Sequence, residues 1–344
     1  MRVTTCAGAI SAAALLAACG TSATPAPHAS ASSTAHASAA ASASASASPT
    51  TATPPAMVAV TTAGALVTLN PATGTVSEVL VPDGVIGDEI SVSDTGMVYF
   101  AVKHGCTTEI EAIPVAGGTA AVIATGSVPA VSPDGTKLAY ASQPLLTIGC
   151  VPNTPDLTAL YKLEVRTLST GSTVSYPPFP AADDNGLPAP ILHLSWASDN
   201  TQLAVSIDEI EDNEGMGVYV VNTAQAQDYL TGPGTTPVPV TGQPTPRQSY
   251  LREGVFLPDG NLFVSRACCA GIPPSNTSRL MWEVTPAGTF VHQVAIGYPN
   301  LDHVSLDVSA TGWLLYLAGT GLYVSQGGAT PRELAAGFIA AAWS

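Results

Sequence analysis

Basic side chains are scarce in this chain. Only 10 of its 344 residues are lysine or arginine, against 25 aspartates and glutamates, and the formal net charge at pH 7 is −15. A surface this acidic repels phosphate backbones and anionic lipid head groups. The composition therefore argues against nucleic acid as a partner and against direct electrostatic docking on an anionic membrane.

The sequence also lacks the short motifs that carry common enzymatic chemistry. It contains no GxSxG nucleophile elbow, no phosphate-cradling glycine loop, no Cys-x-x-Cys pair and no HExxH metal motif. Histidine and serine lie two residues apart at His193 and Ser195 and at His303 and Ser305, but two such residues on a strand merely share a face. These absences favour a non-catalytic protein and leave catalysis open.

The first 18 residues have the layout of an export signal. A basic Arg2 precedes an apolar run, and small residues lead to Cys19. The string LAAC from Leu16 to Cys19, followed by glycine, resembles the bacterial lipobox, in which the cysteine is diacylated and becomes the new N-terminus. The alternative is an ordinary secretory peptide with an incidental cysteine. The resemblance implies lipid attachment at Cys19 and a location on the extracytoplasmic face of the cell membrane.

Residues 19–56 are predicted to be a disordered tether between that anchor and a folded domain. From residue 21 to residue 55 they are almost wholly alanine, serine, threonine and proline, with no aromatic side chain able to form a core. The folded domain is expected to span residues 57–344, and we expect it to be monomeric.

Residues 57–344 are predicted to be all-β. Short β-branched and aromatic runs alternate with turns, and no segment keeps a 3.6-residue apolar period. One unit recurs five times as a strand, a turn and a second strand, with turns ending at Gly96, Gly135, Asn200, Gly260 and Gly312. Asp-Gly, Thr-Gly and Asp-Asn at these turns predict two-residue hairpins closed by residues with positive φ.

A second recurring element, an apolar strand followed by a small turn, occurs six times and completes a four-strand unit typical of a β-propeller blade. Only five complete first elements accompany it. The chain of the domain begins at Met57 with a second strand, and the final segment, residues 338–344, matches a first strand. We therefore predict a six-bladed propeller closed by pairing of the C-terminal strand with the N-terminal blade, with a frayed tail as the alternative.

The repeats VSPDGTKLAY, LSWASDNTQLAV and VFLPDGNLFV resemble those of TolB-like, WD-repeat-like six-bladed propellers. The resemblance covers nearly all of residues 57–344, although blades 2 and 6 replace Pro-Asp-Gly with Asp-Thr-Gly and Ala-Thr-Gly. It implies the fold and says little about chemistry, because such propellers serve mostly as binding platforms or as accessory domains of enzymes.

Polar side chains share one face of the first strands, which line the axis of a propeller. The candidate ligand-binding residues are Glu89, His193, Glu253, His303 and Asp307. Carboxylates with a histidine suit a cationic ligand or a divalent ion such as calcium, and the alternative is a set of hydrated channel residues. No ligand spacing identifies a metal, so no cofactor is predicted.

The four cysteines of the domain fall in equivalent loops at one end of the propeller. An oxidising compartment favours a disulfide between Cys106 and Cys150, with free thiols as the alternative. The adjacent Cys268 and Cys269 favour a strained vicinal disulfide over two exposed reactive thiols. The acidic segment 208–215 at the same end lacks the EF-hand ligand pattern and is interpreted as a solvated loop.

These observations predict a membrane-anchored, extracytoplasmic platform that binds a protein, peptide or glycan, through long proline-rich loops at residues 177–190 and 231–247. The alternative is a metal-dependent propeller hydrolase or lyase that uses the axial carboxylates and histidines around a divalent ion.

Overall fold

The structure is a computed structural model, and it describes residues 54–105, 107–142, 162–176, 190–207, 217–224, 235–237, 250–267, 281–294, 305–326, 329 and 331–344. The predicted signal peptide, Cys19 and nearly all of the predicted tether lie outside these ranges. No helix able to cross a membrane occurs in this described part of the chain.

The described residues form 24 strands, without a helix, in six four-stranded antiparallel sheets. We number these sheets as blades 1 to 6 and give each blade's strands from the axis outward. Blade 1 contains β24 (Phe338–Trp343), β1 (Met57–Thr61), β2 (Leu66–Leu69) and β3 (Val76–Val81), and blade 2 contains β4 (Val85–Val92), β5 (Met97–His104), β6 (Thr107–Pro114) and β7 (Ala121–Thr125). Blade 3 contains β8 (Ser127–Val131), β9 (Lys137–Ser142), β10 (Lys162–Thr167) and β11 (Thr173–Ser175), and blade 4 contains β12 (Ile191–Trp196), β13 (Gln202–Ile207), β14 (Gly217–Asn222) and β15 (Thr235–Pro237). Blade 5 contains β16 (Tyr250–Phe256), β17 (Leu262–Ala267), β18 (Met281–Val284) and β19 (Phe290–Val294), and blade 6 contains β20 (Leu306–Val308), β21 (Trp313–Ala318), β22 (Gly321–Gln326) and β23 (Arg332–Ala336).

The ring closes as predicted, through pairing of the C-terminal strand with the N-terminal blade. Strand β24 is the innermost strand of blade 1 and pairs antiparallel with β1, with Trp343 opposite Met57 and Ala341 opposite Ala59. Trp343 is buried, with only 6% of its surface exposed. The all-β class, the six blades and this closure are confirmed, and the edge of β1 is covered by the chain's own last strand.

The core lies between neighbouring blades. The second strand of a blade is buried on both faces, as in β9 (KLAYAS) and β21 (WLLYLA), because a sheet stacks against each side of it. One such layer joins blades 3 and 4 through Leu163, Tyr176, Trp196 and Val205. Side chains on the outermost strands face water instead, as Val79 and Val122 show with 55% and 59% exposure. Continuous apolar runs in the inner strands follow from this two-sided packing.

The hairpin turns between first and second strands are longer than the predicted two residues. In blade 2 the N–H of Ser93 donates to the carbonyl of Met97 at 3.0 Å, and the N–H of Gly96 donates to the carbonyl of Ser93 at 2.8 Å. Only the last turn residue has a positive φ, 76° at Gly96 and 59° at Asn200. A type I turn followed by a left-handed residue fits this pattern. The Asp-Gly signal therefore located the turns, but the prediction of their type was wrong.

Candidate functional site

Bulges in the first strands bring the predicted axial residues to the centre of the ring. The strand register shifts between Ile86 and Ile90, which brackets Glu89, and it shifts again immediately before His193 and before Glu253. A bulge bends its strand and re-aims the side chain beside it. The same irregularity thus occurs at the corresponding level of blades 2, 4 and 5.

His193 is the centre of this cluster. Its Nε2 atom lies 2.8 Å from Oε1 of Glu89 and 3.9 Å from Oε1 of Glu253. The same nitrogen is 3.2 Å from the backbone carbonyl oxygen of Leu306. Glu89 belongs to blade 2, His193 to blade 4 and Leu306 to blade 6, so one imidazole links three alternate blades across the axis.

The electrostatics of the cluster follow from its burial. Glu89, His193 and Glu253 are each only 6% exposed, so an uncompensated charge would be costly here. Burial alone would lower the pKa of His193, but the carboxylates of Glu89, Glu253 and Asp307 raise it to about 9. Burial raises the pKa of Glu89, although His193 opposes the shift. The raised pKa of His193 favours a protonated imidazole at neutral pH, 2.8 Å from the carboxyl group of Glu89.

Asp307 joins the cluster from blade 6 and also braces the ring. Its Oδ2 accepts the backbone N–H of Trp343 at 2.8 Å, and its Oδ1 accepts the N–H of Val308 at 2.8 Å. Burial raises the pKa of this carboxyl group, while the two N–H donors oppose the rise.

Two serines at the equivalent position brace other junctions. Ser91 accepts the N–H of Val131 at 3.0 Å, and Ser195 accepts the N–H of Phe256 at 3.0 Å. Blades 2, 4 and 6 thus each hold the first strand of the following blade through one side-chain acceptor.

The donor set of Glu89, His193 and Glu253 is of a type that binds divalent metals, and one ligand atom from each lies within 4.8 Å of the other two. Metal binding through Nε2 of His193 requires that nitrogen to lose the proton it shares with Glu89, because a protonated ring nitrogen has no free lone pair. The 2.8 Å ion pair and the raised pKa of His193 oppose that loss near neutral pH. The geometry therefore favours an ion pair over a metal centre.

A second histidine and carboxylate cluster, which the sequence analysis missed, lies on the surface of blade 2. Nε2 of His104 is 3.7 Å from Oε2 of Glu109 and 3.8 Å from Oε1 of Glu111. The His104 side chain is 52% exposed, so water screens these interactions. Pairing of β5 with β6 brings these three residues together. Predicting the register of these two strands from the sequence could have indicated the cluster.

Two members of the axial cluster, Glu89 and Asp307, form part of the wall of a cavity of about 540 Å³ at the end of the ring where the first-strand turns lie. Its aromatic lining consists of Trp196, Phe256 and Trp343. Its acidic lining consists of Glu89, Asp94 and Asp307, and serine hydroxyls from several blades complete the polar surface. Within the part of the chain that the structure describes, the cavity lining contains no lysine, arginine or histidine.

The structure brings together four of the five predicted axial residues, Glu89, His193, Glu253 and Asp307. The fifth, His303, lies outside the described residues. Cys106, Cys150, Cys268 and Cys269 lie outside them as well, so both disulfide pairings stay predictions. The acidic segment 208–215 and the proline-rich loops also fall wholly or mostly outside the described ranges.

Together, the fold and the site define a closed six-bladed β-propeller with a buried ion pair on its axis and a cavity beside it. TolB from Acinetobacter baumannii has a similar structure, with a TM-score of 0.56 and 12% identity over 84% of this chain and 66% of the TolB chain. A propeller from a nidogen/laminin complex gives a TM-score of 0.52 and 9% identity over 84% of this chain and 97% of that chain. This chain therefore spans just under two thirds of TolB's length and has the TolB-like six-bladed fold.

No protein-family model matches the chain, and comparison with curated proteins finds no match. The structural similarity, at these low identities, shows the fold alone.

Proposed function

We propose that this protein is an extracytoplasmic binding protein that takes its ligand into the axial cavity. The observation that carries the proposal is the cavity itself, about 540 Å³ in volume, walled by the first strands and turns of a closed ring. Pockets that hold small ligands or the anchoring residues of peptides have volumes of roughly 300–1,000 Å³. A closed scaffold holds such walls in place before the ligand arrives, so little ordering entropy is lost on binding.

Protein, peptide and glycan ligands all remain within this proposal. The nidogen propeller comes from a complex with laminin, which supports protein binding as one role of the fold. Trp196, Phe256 and Trp343 add a small, rigid aromatic surface to the lining, each with only 6–7% of its surface exposed, and such rings pack well against peptide side chains and sugar rings.

The alternative, a metal-dependent hydrolase or lyase, needs the axial histidine as a metal ligand. The ion pair between His193 and Glu89 weighs against it, because the nitrogen nearest the carboxylates is already engaged. Metal analysis of the purified protein tests this alternative. A stoichiometric divalent ion that is lost in a Glu89→Gln, His193→Gln double variant would favour it over the binding role.

The proposal places the protein on the membrane through lipid at Cys19. Growth with an alkyne-labelled fatty acid should label the full chain, and Cys19→Ala should abolish the label and release the protein from the membrane fraction. Cys6→Ala is the matched control, because it removes a cysteine from the same segment outside the LAAC string. Equal labelling of the wild type and Cys19→Ala would refute the anchor without touching the binding proposal.

The binding role is tested by probing a peptide and glycan array with the full chain in detergent. Ala310 is exposed and lines the cavity mouth, so Ala310→Trp should obstruct entry without disturbing the core. Ala287→Trp makes the same change in an exposed turn between β18 and β19, outside the cavity lining. We expect Ala310→Trp to lose the array signals that Ala287→Trp keeps. Identical signals from both variants would contradict binding in the cavity.

A further inference from the structure

We propose that the axial cavity selects an organic cation, meaning a ligand with an ammonium or guanidinium group on an apolar body. This inference rests on the proposed function, because it names the ligand class of the same cavity. The carrying observation is an uneven distribution of charge, since three carboxylates and no basic side chain occur among the described residues that line the cavity.

The three carboxylates are placed at different depths. Glu89 is buried, Asp307 is half-buried and Asp94 is exposed at the mouth. An ionised carboxylate can accept about four hydrogen bonds. The interactions found for Glu89 are the His193 pair and the Leu194 N–H at 3.4 Å, and those for Asp307 are two backbone N–H groups. Each therefore retains acceptor capacity for a donor inside the cavity.

The rim adds negative charge. Asp134, Asp199 and Asp259 each directly follow a residue that lines the cavity, in the turns of blades 3, 4 and 5. Burial is the largest single influence on the pKa values of Asp134 and Asp199 and would raise them, but hydrogen bonds from neighbouring hydroxyl and backbone groups together hold both pKa values below their usual range. Both stay ionised at neutral pH. Lys137 lies near this rim, but it does not line the cavity, and its Nζ donates to the carbonyl of Asn200 at 2.9 Å.

The mostly buried aromatic rings add a small apolar contact to the lining, beside the aliphatic side chains of Val92, Leu257 and Val308, for the hydrocarbon body of such a ligand. Two of them are held in place: Nε1 of Trp196 donates to the carbonyl of Ala130 at 2.8 Å, and the ring of Trp343 lies 6.4 Å from the ring of Trp313. The face of such a ring attracts a cation. Trp196 already shows this attraction, since Nζ of Lys137 is 5.6 Å from its centroid.

Other ligand classes fit this lining less well. A phosphate, a carboxylate or an acidic sugar would meet three carboxylates and, among the described lining residues, no basic side chain, at a cost that burial increases. A neutral sugar could bond to the serine hydroxyls but would offer no charged donor to Asp94 or to the remaining acceptor capacity of Glu89 and Asp307. A cation removes both penalties.

The test uses three probes that share one apolar body and differ in charge. Phenethylammonium, 2-phenylethanol and 3-phenylpropionate are titrated into the full chain in detergent, with binding followed by calorimetry and by tryptophan fluorescence. We expect the cation to bind about tenfold more tightly than the neutral alcohol, which is the order of a partly desolvated cation–π and carboxylate contact, and the anion not to bind. The preference should weaken as ionic strength rises.

Charge variants separate a specific effect from the general acidity of the protein. Asp94→Asn removes one carboxylate from the cavity mouth, and Asp83→Asn makes the same change at an exposed residue outside the lining. Asp94→Asn should weaken phenethylammonium binding by about twofold to fivefold, because an exposed ion pair is worth up to about 1 kcal/mol. It should leave 2-phenylethanol unchanged, and Asp83→Asn should affect neither probe.

The same cation can belong to a free amine or to a basic side chain of a peptide, so a second arm uses the blocked peptides acetyl-Gly-Phe-Lys-Gly-amide and acetyl-Gly-Phe-Gln-Gly-amide. Tighter binding of the lysine peptide alone supports the proposal with a peptide as the source. Equal binding of the cation and the neutral alcohol overturns cation selection while the cavity remains a binding site. If no probe or peptide binds, and Ala310→Trp changes nothing, both this inference and the proposed function fail.

Discussion

The carboxylate of Asp307 accepts the backbone N–H of Trp343 at 2.8 Å, which ties the last strand of the chain to blade 6. Backbone pairing with β1 holds the opposite side of that strand. The closing strand is therefore held from two directions, and one of them depends on a single side chain. Ser91 and Ser195 accept N–H groups at the equivalent positions of two other junctions, which identifies this contact as part of a repeated design.

We expect Asp307→Ala to destabilise the protein by about 1–3 kcal/mol, because it leaves the N–H groups of Trp343 and Val308 without their acceptor. Asp307→Asn keeps an oxygen acceptor and should cost less. Urea unfolding followed by tryptophan fluorescence measures both. Ser195→Ala, which removes the acceptor of one N–H only, should fall between the wild type and Asp307→Ala. Indistinguishable midpoints for the wild type and Asp307→Ala would contradict the bracing role.

Removal of residues 338–344 should have a larger effect. The deletion takes away the whole of β24 and exposes the edge of β1, whose residues Met57, Val58, Ala59 and Val60 are each at most 1% exposed. An uncovered apolar edge pairs with other chains, so we expect loss of the cooperative transition and concentration-dependent aggregation. Light scattering and circular dichroism test this. A soluble deletion variant with an unchanged thermal midpoint would contradict closure by β24.

Much of the fold was predictable, because a propeller repeats its turn and strand signals at each blade. The order of the repeated strands was enough to pair the C-terminal strand with the strand that begins at Met57, but not to give the register that places Trp343 opposite Met57. Alternation along the first strands likewise placed Glu89, His193 and Glu253 on the polar face. The bulges that bring these three side chains into contact were not predictable, because a bulge depends on how a strand packs against its neighbours. The cavity was missed for a related reason: its aromatic lining comes from residues far apart in sequence, whose side chains meet only after closure.

At Gly74 the backbone of blade 1 comes close to blade 6, and Gly260 serves as a control glycine without such a neighbour. Its φ is 70°, and a Cβ there would lie 2.8 Å from the carbonyl oxygen of Leu334 and 2.7 Å from Cβ of Ala335, in the neighbouring blade 6. Gly260 has a φ of 88°, and a Cβ there would meet nothing within 4 Å. Both changes to alanine incur the strain of a left-handed residue, on the order of 1 kcal/mol. Only Gly74→Ala adds a backbone clash.

We therefore expect Gly74→Ala to lower the free energy of unfolding by about 1–3 kcal/mol more than Gly260→Ala, as other small-to-large changes in packed regions do. Equilibrium urea denaturation of the two variants gives the comparison directly. Equal losses would show that blades 1 and 6 do not approach each other closely at this turn.

The buried pair of His193 and Glu89 predicts how stability depends on pH. The pKa of His193 is raised from 6.5 to about 9 in the folded protein. Burial of the imidazole would lower this pKa, but the charge of Glu89 outweighs that effect together with the other nearby carboxylates. A group whose folded pKa exceeds its unfolded value stabilises the fold fully below the unfolded pKa, and that stabilisation is lost as pH rises through the folded pKa. The stability attributable to His193 should thus be complete below pH 6.5 and decline towards pH 9, by an amount on the order of 3 kcal/mol.

Urea midpoints measured between pH 6 and pH 9.5 should fall in the wild type and fall much less in a Glu89→Gln, His193→Gln double variant. The double variant is preferred to His193→Gln alone because it removes both buried charges together and does not strand an unpaired carboxylate at the axis. His104→Gln, at the exposed cluster on blade 2, is the matched control and should keep the wild-type slope, since its partners are screened by water. If the double variant loses stability with pH as steeply as the wild type does, the axial ion pair is not the source of the slope, and another titrating group must be sought among the residues that line the cavity.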